Sequence, residues 1–413
     1  MNKLIVLAFL GTSVACSDRK STTDQKSVKE TNSAVNVSTI HTYQQDRLFL
    51  RQYHPDLVEL QSGAARAIIC PDYQGRVMTS TADGQASYGW INYELIRSRK
   101  ILPHMNAFGG EDRFWLGPEG GQFALFFRKG DSFDGEHWQT PPAIDSEPFT
   151  LDDVTPTSAK FSRKVSLTNY SGTQFEIGIN RTVTLLPEAE INRQLNIEND
   201  SLKIVGIRSD NVITNVGLKP WTAQTGMLSI WVLSMMNASP QTTIIVPYRA
   251  GTGSPINDAY FGKVPADRLT VGKTAAFFKA DAKYRSKIGV SPARATNWIG
   301  SYNPTTQTLT LVTFDFNLQN RQYVNSAWEQ QKDPYAGDVI NAYNDGPMKS
   351  GQPQMGQFYE LESSSPAADL APGAKRQHRH TVFHIQGPEQ VLNKITQNLL
   401  QVDLLDLRSG VHQ

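Results

Sequence analysis

Residues 357 to 387 read QFYELESSSPAADLAPGAKRQHRHTVFHIQG, and the alternation at the two ends of this stretch decides the fold. At the two-residue period of a strand, Phe358, Glu360 and Glu362 share one face while Tyr359 and Leu361 share the other. Pro366, Pro372 and Gly373 mark a connection, after which His378, His380, Val382 and His384 again fall on one face. The stretch therefore reads as two strands and a loop, carrying two acids and three imidazoles.

Runs of the same character recur outward from it, at 47–50, 65–70, 76–80, 123–128, 159–167, 175–186, 204–214, 228–233, 242–246 and 308–316, with turn residues between them. Helical patterns are confined to 93–99 and to a tail at 388–400, where Pro388 suits a first turn and Val391, Leu392, Ile395 and Leu399 form one stripe. So many strands with so few helices predict an all-β chain built as a large antiparallel sandwich. The sequence shows no internal repeat.

The first residues, MNKLIVLAFLGTSVAC, place one Lys before an apolar run too short to span a bilayer. That pattern predicts an export signal over residues 1 to 15, with Ser13-Val14-Ala15-Cys16 resembling a bacterial lipobox and Cys16 as the lipidated residue. From 16 to 42 the chain is rich in Ser, Thr, Lys and Asn and has no aromatic residue, a composition that predicts a disordered tether. A single domain is expected from 43 to 405. The expected location is a bacterial membrane, specifically the periplasmic or outer face of the outer membrane, reached through the lipid on Cys16. A net charge of +1 argues against a nucleic-acid partner, and Cys70 is left alone in an apolar run as a buried small hydrophobe.

The order Leu361-Glu362, then Leu370-Ala371-Pro372-Gly373, then Arg379-His380-Thr381-Val382-Phe383 resembles the C-terminal end of the galactose mutarotase-like (aldose 1-epimerase-like) superfamily. That resemblance implies a supersandwich with a few short helices and a carbohydrate ligand, with Glu362 at the position of the catalytic base and no cofactor or metal. Gly109-Gly110 followed by Trp115 is similar in placement to the family's Gly-Gly motif and Trp. The run 324 to 346 resembles an exported lipoprotein branch of the superfamily. The departure lies at Thr214-Asn215-Val216, where the family carries its acid histidine and this chain has none between 137 and 378. His104, His380 and Lys219 are the candidates to replace it.

Three stretches carry the candidate chemistry. In 104 to 121, Glu111, Arg113, Trp115 and Glu119 are residue types that bind a sugar, since charged groups meet vicinal hydroxyls and an aromatic face covers the C–H side of the ring. In 324 to 346, Trp328, Asn344 and Asp345 stand in a polar, aromatic run expected to form a lid rather than a core strand. In 358 to 384, Glu360 on the same face as Glu362 would raise its neighbour's proton affinity if both were buried, or else would meet Arg376 or Arg379. His380 is the remaining expected ligand contact.

Sugar chemistry here needs a base on the anomeric hydroxyl and an acid on the ring oxygen, each worth roughly 10² to 10⁴ in rate. Against it stand two alternatives: glycan recognition without turnover, and a metal-dependent enzyme using His378 and His380 with an acid from the facing strand. His384 lies roughly 20 Å along from His378 at strand rise and cannot join such a site. Exposed histidines on an edge strand are the plainer expectation.

Overall fold

The computed structural model describes residues 41–197, 201–347 and 354–409. The expected leader, Cys16 and all but the end of the 16 to 42 tether lie outside the described residues.

Among the described residues, six α-helices and eighteen strands follow one another within the unit Ile40–Gln413. The first half holds α1 (Tyr43–Tyr53), β1 (Val58–Ser62), β2 (Ala65–Cys70), β3 (Arg76–Thr81), α2 (Tyr93–Ser98), β4 (Arg113–Gly117), α3 (Pro142–Asp145), β5 (Thr150–Val154), β6 (Ser158–Thr168), β7 (Gln174–Leu185), α4 (Glu188–Leu195) and β8 (Lys203–Asn215). The second holds β9 (Ser229–Asn237), β10 (Thr243–Pro247), β11 (Leu269–Val271), β12 (Ala275–Lys279), β13 (Ser286–Val290), β14 (Trp298–Asn303), β15 (Thr308–Phe314), β16 (Ile340–Asn344), β17 (Phe358–Ser364), β18 (Lys375–Gln386), α5 (Glu389–Leu399) and α6 (Leu404–Ser409).

The strands form a ten-stranded sheet in the order β11-β12-β10-β14-β15-β18-β8-β7-β6-β5, a five-stranded sheet in the order β13-β16-β17-β9-β4, and a three-stranded sheet β1-β2-β3. Every pairing between named strands is antiparallel. This is the all-β sandwich that the alternating runs predict. An isolated bridge between Val77 and Asp112 carries the three-stranded sheet on beside β4.

Side-chain parity sets the layers. Ile244, Val246, Ile299, Val312 and Val382 of the large sheet pack with Ile288, Ile340, Ala342, Tyr359 and Leu361 of the five-stranded sheet in one core between the two. The opposite face of the large sheet, through Leu309, Leu311, Phe383 and Ile385, is covered by Ile191 and Leu195 of α4 and by Leu392 and Ile395 of α5. Each buried aliphatic side chain contributes roughly 1.5–3 kcal/mol, so these faces fix which residues of each strand point outward.

Three expectations are corrected. Residues 47–50 lie in α1 rather than in a strand, because Thr42 and Gln45 form a capping box that starts a helix there. Residues 123–128 form no strand; they turn beneath the aromatic side chains of 126 to 138. The run 324 to 346 is irregular only as far as Val339, for Ile340–Asn344 is β16, an inner strand of the five-stranded sheet. Its polarity misled because Asn341 lines the candidate site, while Tyr343 packs with Trp90, Met235 and Phe358 in a separate buried cluster.

Candidate functional site

Because β17 alternates, Ser363 points into the sandwich while Glu360 and Glu362 point out of the five-stranded sheet on its far side. Arg113 and Trp115 of β4, Trp231 of β9, Asn341 of β16 and Lys287 of β13 project from that same outer face. The antiparallel register aligns Glu362 with Asn341 on one side and Leu233 on the other.

Glu362 is fully buried at 0% exposure. Its Oε2 accepts a hydrogen bond from Trp231 Nε1 at 2.8 Å and from Lys287 Nζ at 2.9 Å, while Oε1 has no protein partner. Lys287, 6% exposed, also stands 4.6 Å from the centre of the Trp231 ring. Glu360 accepts from Arg113 Nη2 at 2.7 Å, and the Arg113 guanidinium stacks 4.1 Å over Trp115. Glu119 enters from the loop after β4, anchored by its backbone N–H donating to Ser326 Oγ at 3.1 Å.

Burial sets the charges of this cluster. It pushes the Glu119 carboxyl above its ordinary range, with Lys287 pulling the other way and the Glu362 charge adding to the rise. Burial likewise lifts Glu360 to about 7, against Arg113 and with Glu362 adding. Lys287 is the reverse case, where burial disfavours the ammonium but the carboxylates of Glu362, Glu119 and Glu360 outweigh it and hold the amine above its usual value.

Beside Lys287, Tyr260 Oη donates to Asp338 at 2.6 Å and Asn257 donates to the same oxygen at 3.0 Å, while Asn341 donates to Tyr260 Oη at 3.0 Å. A cavity of about 10 Å³, lined by Ser229, Trp231, Tyr260, Lys287, Asp338 and Asn341 among others, lies in this corner. It has room for about one water molecule. The ceiling is irregular chain: the loop at 118–122 lies against 325–331, where Gln122 and Gln331 exchange side-chain to backbone bonds at 2.9 and 3.0 Å. A Cβ at Gly120 would overlap the Ala327 carbonyl, so only glycine permits that contact. Trp328 closes the aromatic side by stacking on Trp138 at 5.7 Å.

The structure thus gathers Glu362, Glu360, Arg113, Trp115, Glu119 and Trp328 on one side of the five-stranded sheet. It places the other candidates elsewhere. Glu111 is buried in the sandwich, where His384 Nε2 meets it at 2.5 Å. Asn344 points inward, accepting from the Ala282 N–H and donating to backbone carbonyls of Tyr284 and Asp345, and Asp345 accepts from Tyr343 Oη at 2.7 Å and from the Gly356 N–H at 2.8 Å. His104 is exposed, its Nδ1 donating to the Trp138 carbonyl.

The three histidines are corrected most. β18 lies between β15 and β8, so its histidines are interior rather than at an edge. His380 sits between Ser363 Oγ at 2.8 Å and Ser234 Oγ at 3.0 Å, and His378 Nε2 reaches the same Ser363 hydroxyl at 2.8 Å. They face the opposite side of β17 from Glu360 and Glu362, which removes the metal geometry built on them. Among the described residues no group of three His, Cys, Asp or Glu side chains is arranged to hold a metal ion. Arg376 and Arg379 go to the Ala367 carbonyl and to Asp210, leaving Arg113 as the partner of Glu360.

Lys287 is the residue of this cluster that the sequence reading does not reach, whereas Asp338 falls within the polar run 324 to 346. Ser286-Lys287-Ile288-Gly289-Val290 puts a charged side chain directly before an apolar end of a short strand, and that is the signal the sequence carries.

Residues 41–411 match the family of unknown function DUF6786. No curated protein matches. Among solved structures, a putative aldose 1-epimerase of Escherichia coli K12 is 12% identical, covering 80% of this chain and 99% of that one, with a TM-score of 0.47. A galactose mutarotase-like protein of Lactobacillus casei is 11% identical over 79% of this chain and 99% of that one, with a TM-score of 0.43. A galactose mutarotase related enzyme of Lactobacillus acidophilus is 11% identical over 79% and 97%, with a TM-score of 0.45.

Proposed function

The chain belongs to the DUF6786 family of unknown function, and from its site we propose that it binds a carbohydrate on the outer face of the five-stranded sheet, with Glu362 receiving the anomeric proton. One observation carries this reading. Glu362 is a wholly buried carboxylate whose Oε2 is gripped by Lys287 and Trp231 while its Oε1 has no protein partner. A buried carboxylate oxygen left without a donor is costly, and a hydroxyl, of a sugar or of water, satisfies it. Trp231, which lines the cavity beside Glu362, supplies an aromatic surface of the kind a pyranose ring packs on, while Trp115 is covered by Arg113 and Trp328 by Trp138. Entry requires the 325–331 loop to swing away, because the cavity as it stands takes about one water.

Recognition without turnover is the second reading. It is favoured by the positions of the histidines, since His378, His380 and His384 lie in the sandwich and His104 and His137 are exposed. Both readings are tested by titrating the protein with free aldoses while following tryptophan fluorescence and anomeric exchange by NMR. A saturable change for at least one aldose, reduced at least tenfold in affinity by Glu362→Gln, is expected; no response to any aldose would overturn both.

The proposal also anchors the chain to a bacterial outer membrane by a lipid on Cys16, a reading supported by residues 1 to 16 alone. Labelled fatty acid should be incorporated in cells and lost in Cys16→Ser; equal labelling of the two would overturn it.

A further inference from the structure

We propose that Lys287 is the proton donor that works with Glu362, filling the place left by the missing histidine; this rests on the carbohydrate reading above. In a cyclic aldose the hydroxyl to be deprotonated and the ring oxygen to be protonated are bonded to the same carbon. A base and an acid standing side by side can therefore serve both oxygens. Lys287 Nζ meets this condition, at 2.9 Å from one oxygen of Glu362 while the other oxygen is unengaged. Among the described residues no histidine meets it, for the imidazoles nearest in sequence point through the sheet to its other side. The Trp231 indole grips the same Glu362 oxygen as Lys287 and lies under its ammonium, so the geometry of both groups is fixed by one ring.

The proton count balances without a co-reactant. Glu362 Oε1 takes the proton of the anomeric hydroxyl, whose oxygen becomes the carbonyl oxygen. The C1–ring-oxygen bond breaks, its electron pair goes to the ring oxygen, and that oxygen takes a proton from Lys287 Nζ. The open-chain aldehyde turns about its C1–C2 bond. The hydroxyl then adds to the other face of the carbonyl, returning its proton to Nζ while the carbonyl oxygen recovers one from Glu362.

Burial drives the coupling of these two transfers. While Glu362 is ionised, it and the neighbouring carboxylates hold the proton on Lys287 against the cost of burying an ammonium. Once Glu362 accepts a proton, the largest part of that attraction is gone and desolvation pulls toward the neutral amine. The ion pair becomes a neutral acid beside a neutral amine, a change that a site closed to water assists.

The test follows anomeric exchange and aldose binding in parallel for wild type, K287M, K287R and the neutral pair E362Q/K287M, with melting temperature as the check on folding. Arginine keeps the charge but does not release its proton in the working range. The expected result is exchange reduced about 10²-fold or more in both single variants, with aldose affinity changed less than about tenfold in K287R. The wild-type pH profile should fall at alkaline pH as Lys287 loses its proton, and residual exchange in K287M should lack that fall. Should K287M fail to fold around an unpaired Glu362, K287R and the double variant carry the comparison. Exchange at the wild-type rate in any folded variant lacking Lys287 overturns the proposal. Wild type that binds an aldose without accelerating exchange overturns it while leaving the carbohydrate reading intact, and wild type that binds no aldose overturns both.

Discussion

Single residues in this chain are governed by which side of a strand they occupy. His378 and His380 illustrate it: burial pushes their imidazoles down to about 3 and about 4, His380 adding to the effect on His378 and Arg181 opposing Asp112 at His380. Their folded values lie below the ordinary 6.5, so the unfolded chain binds more protons between the two. The stability they contribute is present in full above about pH 6.5 and is lost as the pH falls toward 4 and 3, by at most roughly 1.4 kcal/mol per unit for each group. Urea midpoints measured from pH 8 to 4 should fall accordingly, and His380→Gln should flatten the curve; an unchanged slope would mean that these rings are solvated. Trp231→Phe should cost about 1.5–3 kcal/mol, because it removes a donor to the buried Glu362 carboxylate while keeping an aromatic ring. Chemical denaturation reads this directly.

At the scale of elements, the loops over the site are held differently from the sheet beneath. The 325–331 segment has neither helix nor strand, and Gln331 donates to the carbonyls of Asn325 at 2.9 Å and Ala327 at 2.8 Å. Gln331→Ala should lower global stability by only about 1–2 kcal/mol while raising hydrogen exchange across 325–333 at least severalfold relative to β9 and β17. Equal protection in both proteins would show that the ceiling does not depend on this side chain. β13 behaves oppositely. A Cβ on Gly289 would overlap the Asp338 carboxylate and crowd Asn341, so Gly289→Ala should cost about 1–3 kcal/mol and weaken aldose binding with it. The element also shows why Lys287 escaped notice: a lone Lys on a short strand reads as solvated until the register places an acid beside it.

For the whole unit Ile40–Gln413, the two sheets are tied by polar as well as apolar contacts. Ser363 of β17 and Ser234 of β9 reach the histidines of β18, and inside the same layer Arg181 pairs with Asp112 and donates to Asn211 at 2.6 Å. Separating the sheets would break all of these buried contacts at once, so they should come apart together. Thermal unfolding followed by far-ultraviolet and near-ultraviolet circular dichroism is expected to give coincident transitions; two resolved steps would show that the layers melt independently.

The alternation of residues 358 to 386 was enough to specify a β-sandwich and to place Glu360 and Glu362 together, because strand period is a property of the backbone that sequence carries locally. What the sequence left open was the side of the sheet. Burial on both faces of β17 makes an inward and an outward position look alike in composition, so the histidines and Glu111 were grouped with acids from which a sheet separates them. Only the pairing of β13 with β16, and of β16 with β17, brings Lys287 to Glu362 across 75 residues of chain, a contact set by long-range register that no local pattern encodes.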